Sequence, residues 1–323
     1  FLLAVIYFIK SFFLIYFQWW KNEFANSLQL KISKKILKKY LYMPFIDAIK
    51  INSAVKLRNV LTETPKVRKS FISLMTIIVQ ISVISILFVV IFIAEPYSAL
   101  IAITFFSIVF LFYQFLFKNI LKIWGEKRLK LSGKVIKSMK DSFSATNEIR
   151  TFHKEKYFID KFFLSEKELL KYIKFFSTFN ISPKIILEFF AVLFIIVSIF
   201  IMMKLGNDNS KILATIVLIG AAGVRVLPAA ASFISCLNEL KNSQPSITTI
   251  FEILKNNIYK NRKNVDFYAL KSHIKIENVY FSYENKIIFN QINFKLHKNK
   301  LIGINGVSGS GKSTLINIII GLL

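Results

Sequence analysis

An α-helical polytopic membrane domain with long cytoplasmic helix extensions, followed by the start of an α/β domain, is the fold class this sequence predicts. Three observations predict it. The 323 residues are 54% hydrophobic with a mean hydropathy of +0.51, too apolar for an ordinary soluble domain. Apolar runs of about twenty residues, the length that crosses a bilayer as a helix, recur from the first residue onward. From Ile274 the pattern changes: residues 274–281 (IKIENVYF) and 292–296 alternate apolar and polar, as half-buried strands do.

The first span is predicted at residues 1–20. It closes with Gln18-Trp19-Trp20 and then Lys21, an aromatic belt followed by a basic residue at a membrane exit. Residues 21–70 are amphipathic and basic, interrupted at Met43-Pro44-Phe45, where proline breaks the helix. The second span follows at 73–94. Glu95-Pro96-Tyr97 makes a short turn into the third, 98–117, which implies an antiparallel helix pair. Residues 118–180 form a second long charged stretch whose helical spacing loosens into a bend over 147–156 (NEIRTFHKEK). The fourth span is 182–204, a polar loop (GNDNS) occupies 206–210, and the fifth span is 212–237. These assignments give a membrane domain over 1–238, a polar linker over 239–270 with some helix at 246–256, and the α/β domain from 271 to 323.

Charge sets the topology. Lys and Arg total 44 against 18 Asp and Glu, a net charge of +26. Most of these basic residues lie in 21–70 and 118–180, between the apolar runs, rather than on one soluble face. A membrane surface therefore explains the charge better than a nucleic-acid partner does. The positive-inside rule makes both long connections cytoplasmic, together with the C-terminal part. Paired helices of that length would project roughly 35–45 Å beyond the bilayer. Five spans put Phe1 on the far side, and because many such domains have an even span count, one further span is expected before it. The single Cys236 excludes an internal disulfide framework and a cysteine-clustered metal site, and His153, His273 and His297 lack metal-ligand spacing.

Near the C-terminus, Gly306-Val307-Ser308-Gly309-Ser310-Gly311-Lys312-Ser313 fits G-x-x-x-x-G-K-[ST], the phosphate-cradling loop of nucleoside triphosphate sites. Glycines let backbone N–H groups converge on phosphate oxygens without Cβ clashes. Lys312 would reach the β- and γ-phosphates, and the Ser313 hydroxyl would hold Mg²⁺. The flanks suit the loop: 300–304 (KLIGI) reads as a buried strand leading in, and 312–322 as a helix leading out. The helix N-terminus would then face the anion.

Membrane helices with cytoplasmic extensions, a linker, a strand ending in aromatics and a phosphate loop together resemble an ABC exporter, in which a transmembrane domain precedes its nucleotide-binding domain. Val279-Tyr280-Phe281-Ser282-Tyr283 is similar to that family's V-x-F-x-Y, which implies that Tyr283 stacks on the adenine of ATP. The loop match, Gly306 and Ser308 through Thr314, implies ATP with Mg²⁺. In the membrane part, Tyr40-Leu-Tyr-Met-Pro44-Phe45 and the run from Asn52 to Val60 resemble bacterial lipid-linked oligosaccharide flippases, departing at Lys56 where those have Leu. Glu148-Ile-Arg150, Tyr157-Phe158, Arg225-Val-Leu-Pro228 and Gln244-Pro245 extend the likeness.

The resemblance implies a homodimer in the bacterial inner membrane, with two ATP molecules between two nucleotide-binding domains. The bends at 43–53 and 147–156 would be its coupling helices. The cargo would be a lipid or lipid-linked substrate; a multidrug or lipid exporter of the same architecture is the nearest alternative. A non-hydrolysing membrane protein regulated by nucleotide is the reading from another class. The family's Q-loop, LSGGQ signature, Walker B glutamate and switch histidine have no counterpart before Leu323, so a longer protein is expected and no catalytic base is nominated.

Ionisable groups inside spans are costly and point to function. Lys10 falls near the midplane of the first span, where snorkelling or an ion pair explains it as well as a cavity role does. Arg225, three residues before Pro228, is expected to face a cavity and meet an anionic lipid head group. Lys184 and Glu188, spaced i, i+4, read as a local ion pair.

Overall fold

The computed structural model describes residues 1–94, 96–204, 209–255, 270, 272–283 and 286–323, without the side chains of 94, 97–99, 102, 118, 209–212, 214, 215, 218, 219 and 222. The chain falls into two compact units, Phe1–Leu37 with Asn52–Asn256, and Lys38–Ile51 with Asn257–Leu323.

The first unit is a bundle of very long helices. They are α1 (Leu2–Tyr42, which runs on into the second unit), α3 (Ser53–Arg58), a π-helical turn at Asn59–Glu63, α4 (Thr64–Ala94), α5 (Pro96–Ser144), α6 (Thr146–Thr151), α7 (Glu155–Lys204) and α8 (Asn209–Lys255). The short α2 (Phe45–Lys50) belongs to the second unit. The predicted breaks at Pro44 and near 147–156 are present: α2 starts directly after Pro44, and α6 ends in a turn at Phe152 and His153, where His153 takes φ 50°.

Each predicted span is the apolar part of a longer helix that continues into polar sequence. Among the described residues, the helices Leu2–Tyr42, Ser53–Ile93 and Glu155–Lys204 are long and apolar enough to cross a membrane. A fourth lies in α5 if its arms Ile103–Phe117 and Asn119–Ser144, bent by 40°, form one span. The expected fifth span, 212–237, overlaps side chains outside the described residues, as do the turn at Glu95 and most of the loop 206–210. Residues 239–255, expected to open a linker with helix from 246, are helical throughout as the end of α8, whereas 256–269 lie outside the described residues.

Proline is tolerated inside these helices where other groups take over its lost hydrogen bond. Pro183 is buried within α7 and has no N–H to offer Phe179; the Ser182 hydroxyl donates to that carbonyl instead, at 2.8 Å. The apolar core joins α5, α7 and α8: Val109, Tyr113, Leu187, Ala231 and Ile234 are buried together, ringed by phenylalanines. Phe117 meets Phe179 edge to face at 4.4 Å, and Trp124 stacks on Phe175 at 5.6 Å. Such aromatic pairs add about 0.5–1.5 kcal/mol each beyond their buried area.

Toward the polar end of the bundle the packing changes character. Glu63, Arg128, Asn238, Glu239, Asn242, Ser243 and Ser246 are all buried. By contrast, the apolar residues from Leu2 to Ile15 on α1 are largely exposed, as expected of a face meant for lipid or for other helices.

The second unit contains an antiparallel hairpin, β1 (His273–Tyr283) with β2 (Lys286–His297). Register shifts between Ile276 and Phe281 bend it; at the first of them Asn278 takes φ 49° and donates its N–H to Asn293 Oδ1 at 2.7 Å. The strand expected at 300–304 is absent. Residues 300–307 have no regular structure, and Leu301, Ile302 and Ile304 are exposed. A buried strand exists only by pairing, and no strand among the described residues lies beside this segment. The helix predicted after the loop is present as α9 (Lys312–Ile319).

Candidate nucleotide-binding loop

The hairpin and the loop are built against each other. Phe281 pairs with Phe289, Ser282 with Ile287, and Tyr283 with Lys286, so the aromatic end of β1 lies beside the start of β2. Phe281 and Tyr283 meet edge to face at 5.0 Å. Gly311 packs on the same part of β2. A β-carbon there would come within 2.8 Å of Ile288 Cγ2 and 3.0 Å of Phe289 Cζ, so the position requires glycine on space alone. Gly311 thus rests two strand positions from Lys286, the pairing partner of Tyr283.

Backbone conformation demands glycine as well. Gly309 and Gly311 take φ 83° and 92°, the left-handed region that L side chains rarely adopt. Gly311 caps α9 without a side-chain hydrogen bond, and the first helical bond runs from Leu315 N to the Gly311 carbonyl at 2.9 Å. The amides of Lys312, Ser313 and Thr314 therefore precede the helix's own ladder and are available to an anion. Lys312 Nζ donates to the carbonyls of Gly306 at 2.7 Å and Val307 at 2.8 Å, folding its ammonium back onto the loop. The Ser310 amide donates to Val307 O at 3.2 Å and closes the turn. Ser313 is exposed at the first turn of α9.

This donor set suits a polyphosphate: left-handed glycines, helix amides outside the helix's own ladder, the Lys312 ammonium and the exposed Ser313 hydroxyl. The hydroxyl also suits Mg²⁺, which keeps most of its ligands as water and phosphate oxygens. Among the described residues no three His, Cys, Asp or Glu side chains group as a metal site.

The two membrane candidates stand apart from this loop in sequence. Lys10 is exposed on α1, its ammonium 5.1 Å from the centre of the Tyr7 ring. Arg225 is exposed on α8 and has no partner among the described residues. Between α4, α5, α7 and α8 lies an apolar cavity of about 510 Å³, lined by phenylalanines of α5 and by Val224, Val226 and Leu227 of α8. Arg225 is not among its lining residues, although both of its neighbours are. Glu188 reaches the cavity and pairs with Lys184 at 3.9 Å, as its i, i+4 spacing predicts.

Comparison with known proteins agrees with this picture. Residues 289–323 match the family model for the ABC transporter. The chain is 36% identical over 104 residues to the lacticin-481/lactococcin-DR transport/processing ATP-binding protein of Lactococcus lactis, covering 28% of this chain and 14% of that one. It is 26% identical over 178 residues to the multidrug resistance-like ATP-binding protein MdlA of Buchnera aphidicola, covering 53% of this chain and 30% of that one. The chain thus spans less than a third of either relative. A bacterial Atm1-family ABC exporter solved with ATP bound superposes with a TM-score of 0.71 over 93% of this chain and 53% of its own, at 12% identity.

An exporter-type helical membrane domain continuing into the start of an ABC ATPase domain defines the class. Residues 289–323 match the start of an ABC transporter domain, and the chain has the fold of an ABC exporter, with several helices long and apolar enough to cross a membrane.

Proposed function

We propose that this chain is one half of a homodimeric, ATP-driven transporter that exports or flips an amphipathic, lipid-linked substrate across a bacterial inner membrane. The observation that carries the reading is the phosphate loop: two left-handed glycines, an uncapped α9 and a folded-back Lys312 on a chain with an exporter-type bundle. Lys312 and the α9 amides would bind the phosphates, Ser313 would hold Mg²⁺, and Tyr283 would stack on adenine. When bound, ATP supplies the energy for closure of two such domains. The chain's own part is to hold the nucleotide and pass the movement on through α2 and α6, the candidate coupling helices.

A lipid-linked oligosaccharide is the favoured cargo, supported by the likeness of residues 40–60 to flippases of such lipids and by the apolar cavity beside Arg225. The similarity to a multidrug resistance-like protein supports drug export as a second reading. Reconstituting the full-length protein in liposomes tests both. ATP-dependent movement of a fluorescent lipid-linked oligosaccharide is the expected result. ATPase that responds to hydrophobic drugs and ignores such lipids would overturn the cargo assignment and favour drug export.

A further inference from the structure

The most deeply buried charge in the described bundle is Glu63, the last residue of the π-helical turn, with no exposed surface. One of its oxygens, Oε2, accepts from Arg128 Nη2 at 3.2 Å and from the Ser246 hydroxyl at 2.5 Å. Arg128 Nη2 also donates to Ser246 Oγ at 2.7 Å, which closes a three-membered ring. The ring ties the π turn between α3 and α4 to the middle of α5 and to α8 nine residues before its last described residue. On either side the same helices are held again: Arg58 donates to the Leu129 carbonyl at 3.3 Å, and Glu239 pairs with Lys69 at 3.2 Å.

This ring is a poor device for stability. Glu63 Oε1 and Arg128 Nε are buried without a partner, and a partly satisfied buried network is commonly no better than an apolar one. What such a ring supplies is a single allowed register, because sliding any of the three helices leaves a buried charge unpaired. A π turn is itself uncommon and recurs at functional positions.

We infer that Glu63, Arg128 and Ser246 are positioning residues for energy coupling. They lock the C-terminal part of α8, which leads toward the ATPase domain in the chain, to the π turn from which α4 enters the membrane. The inference rests on the ATP-driven transport proposed above. Movement imposed on α8 by the ATPase domain is then delivered to α4 without slippage.

The test uses the full-length protein in liposomes. Glu63→Gln alone leaves Arg128 unpaired and can unfold the bundle, so the decisive variant is Glu63→Gln with Arg128→Gln, which leaves no charge behind. Hydrogen exchange over residues 53–70 is followed with and without ATP, beside thermal unfolding, the KM for ATP and transport per ATP hydrolysed. The wild type is expected to change its exchange at 53–70 with ATP. The folded double variant is expected to keep its KM and lose at least about fivefold of that response and of transport per ATP. A double variant that keeps the wild-type response, or a wild type with no response at 53–70, overturns the inference. A wild type that responds at 53–70 but moves no lipid overturns the proposed cargo and leaves the latch standing.

Discussion

A β-carbon on Gly125 would overlap the backbone carbonyl of Asn242. Backbone rather than a flexible side chain stands in the way, so α5 and α8 touch there at their closest allowed approach. Ser246 lies one helical turn beyond Asn242, and Arg128 nearly one turn beyond Gly125, so this contact sets the spacing at which Arg128 reaches Ser246. Gly125→Ala is therefore expected to push the helices apart, lowering stability by about 1–3 kcal/mol as overpacking does. Thermal unfolding in detergent measures it; an unchanged melting temperature would refute the contact.

Lys312 donates to two carbonyls of its own loop. The same ammonium is the only charged donor among the loop residues 306–314. A hydrogen bond to a charged group contributes about 1.5–3 kcal/mol, so Lys312→Ala should weaken ATP binding by roughly ten- to a hundredfold. Titration with a fluorescent ATP analogue checks this on the full-length protein. Near-native affinity would remove Lys312 from the site.

Tyr283 ends β1 at its pairing with Lys286, two strand positions from Ile288, on which Gly311 rests. Stacking is worth about 1–3 kcal/mol per base and depends on the ring face rather than on the hydroxyl. Tyr283→Phe should thus keep nucleotide affinity, and Tyr283→Ala should lose roughly five- to a hundredfold. Equal losses in both variants would assign the effect to the hydroxyl instead of the ring.

How much of this was legible in the sequence depends on the range over which each signal acts. The phosphate loop, most of β1 and the second half of β2 were readable because glycine conformation and strand alternation are local. The helical breaks at Pro44 and after Thr151 were readable for the same reason. The strand expected at 300–304 failed because its apolar run marks burial, and burial comes from neighbouring strands. Residues 239–255 looked like linker because they are polar, yet Asn242, Ser243 and Ser246 are buried in a helical seam. Glu63 and Ser246 stand 183 residues apart, and no periodicity connects them. Small polar residues at helical spacing, from Asn238 through Asn242 to Ser246, were the one signal that could have identified the seam.

Arg225 is the remaining test of the membrane part. It sits within an apolar stretch of α8 between two valines that line the cavity, is exposed and has no partner among the described residues. An unpaired guanidinium within an apolar helical stretch is costly in a bilayer unless water or an anion meets it. A phosphate-bearing lipid would do so through paired N–H···O bonds, which lysine cannot reproduce. Arg225→Ala is thus expected to reduce the stimulation of ATPase by lipid-linked substrate while basal hydrolysis continues. The lipid concentration for half-stimulation should rise by about tenfold or more, since charged hydrogen bonds of about 1.5–3 kcal/mol are lost. Arg225→Lys should fall between the two. If basal and stimulated rates instead drop together, the guanidinium supports the fold of α8 and takes no part in meeting the head group.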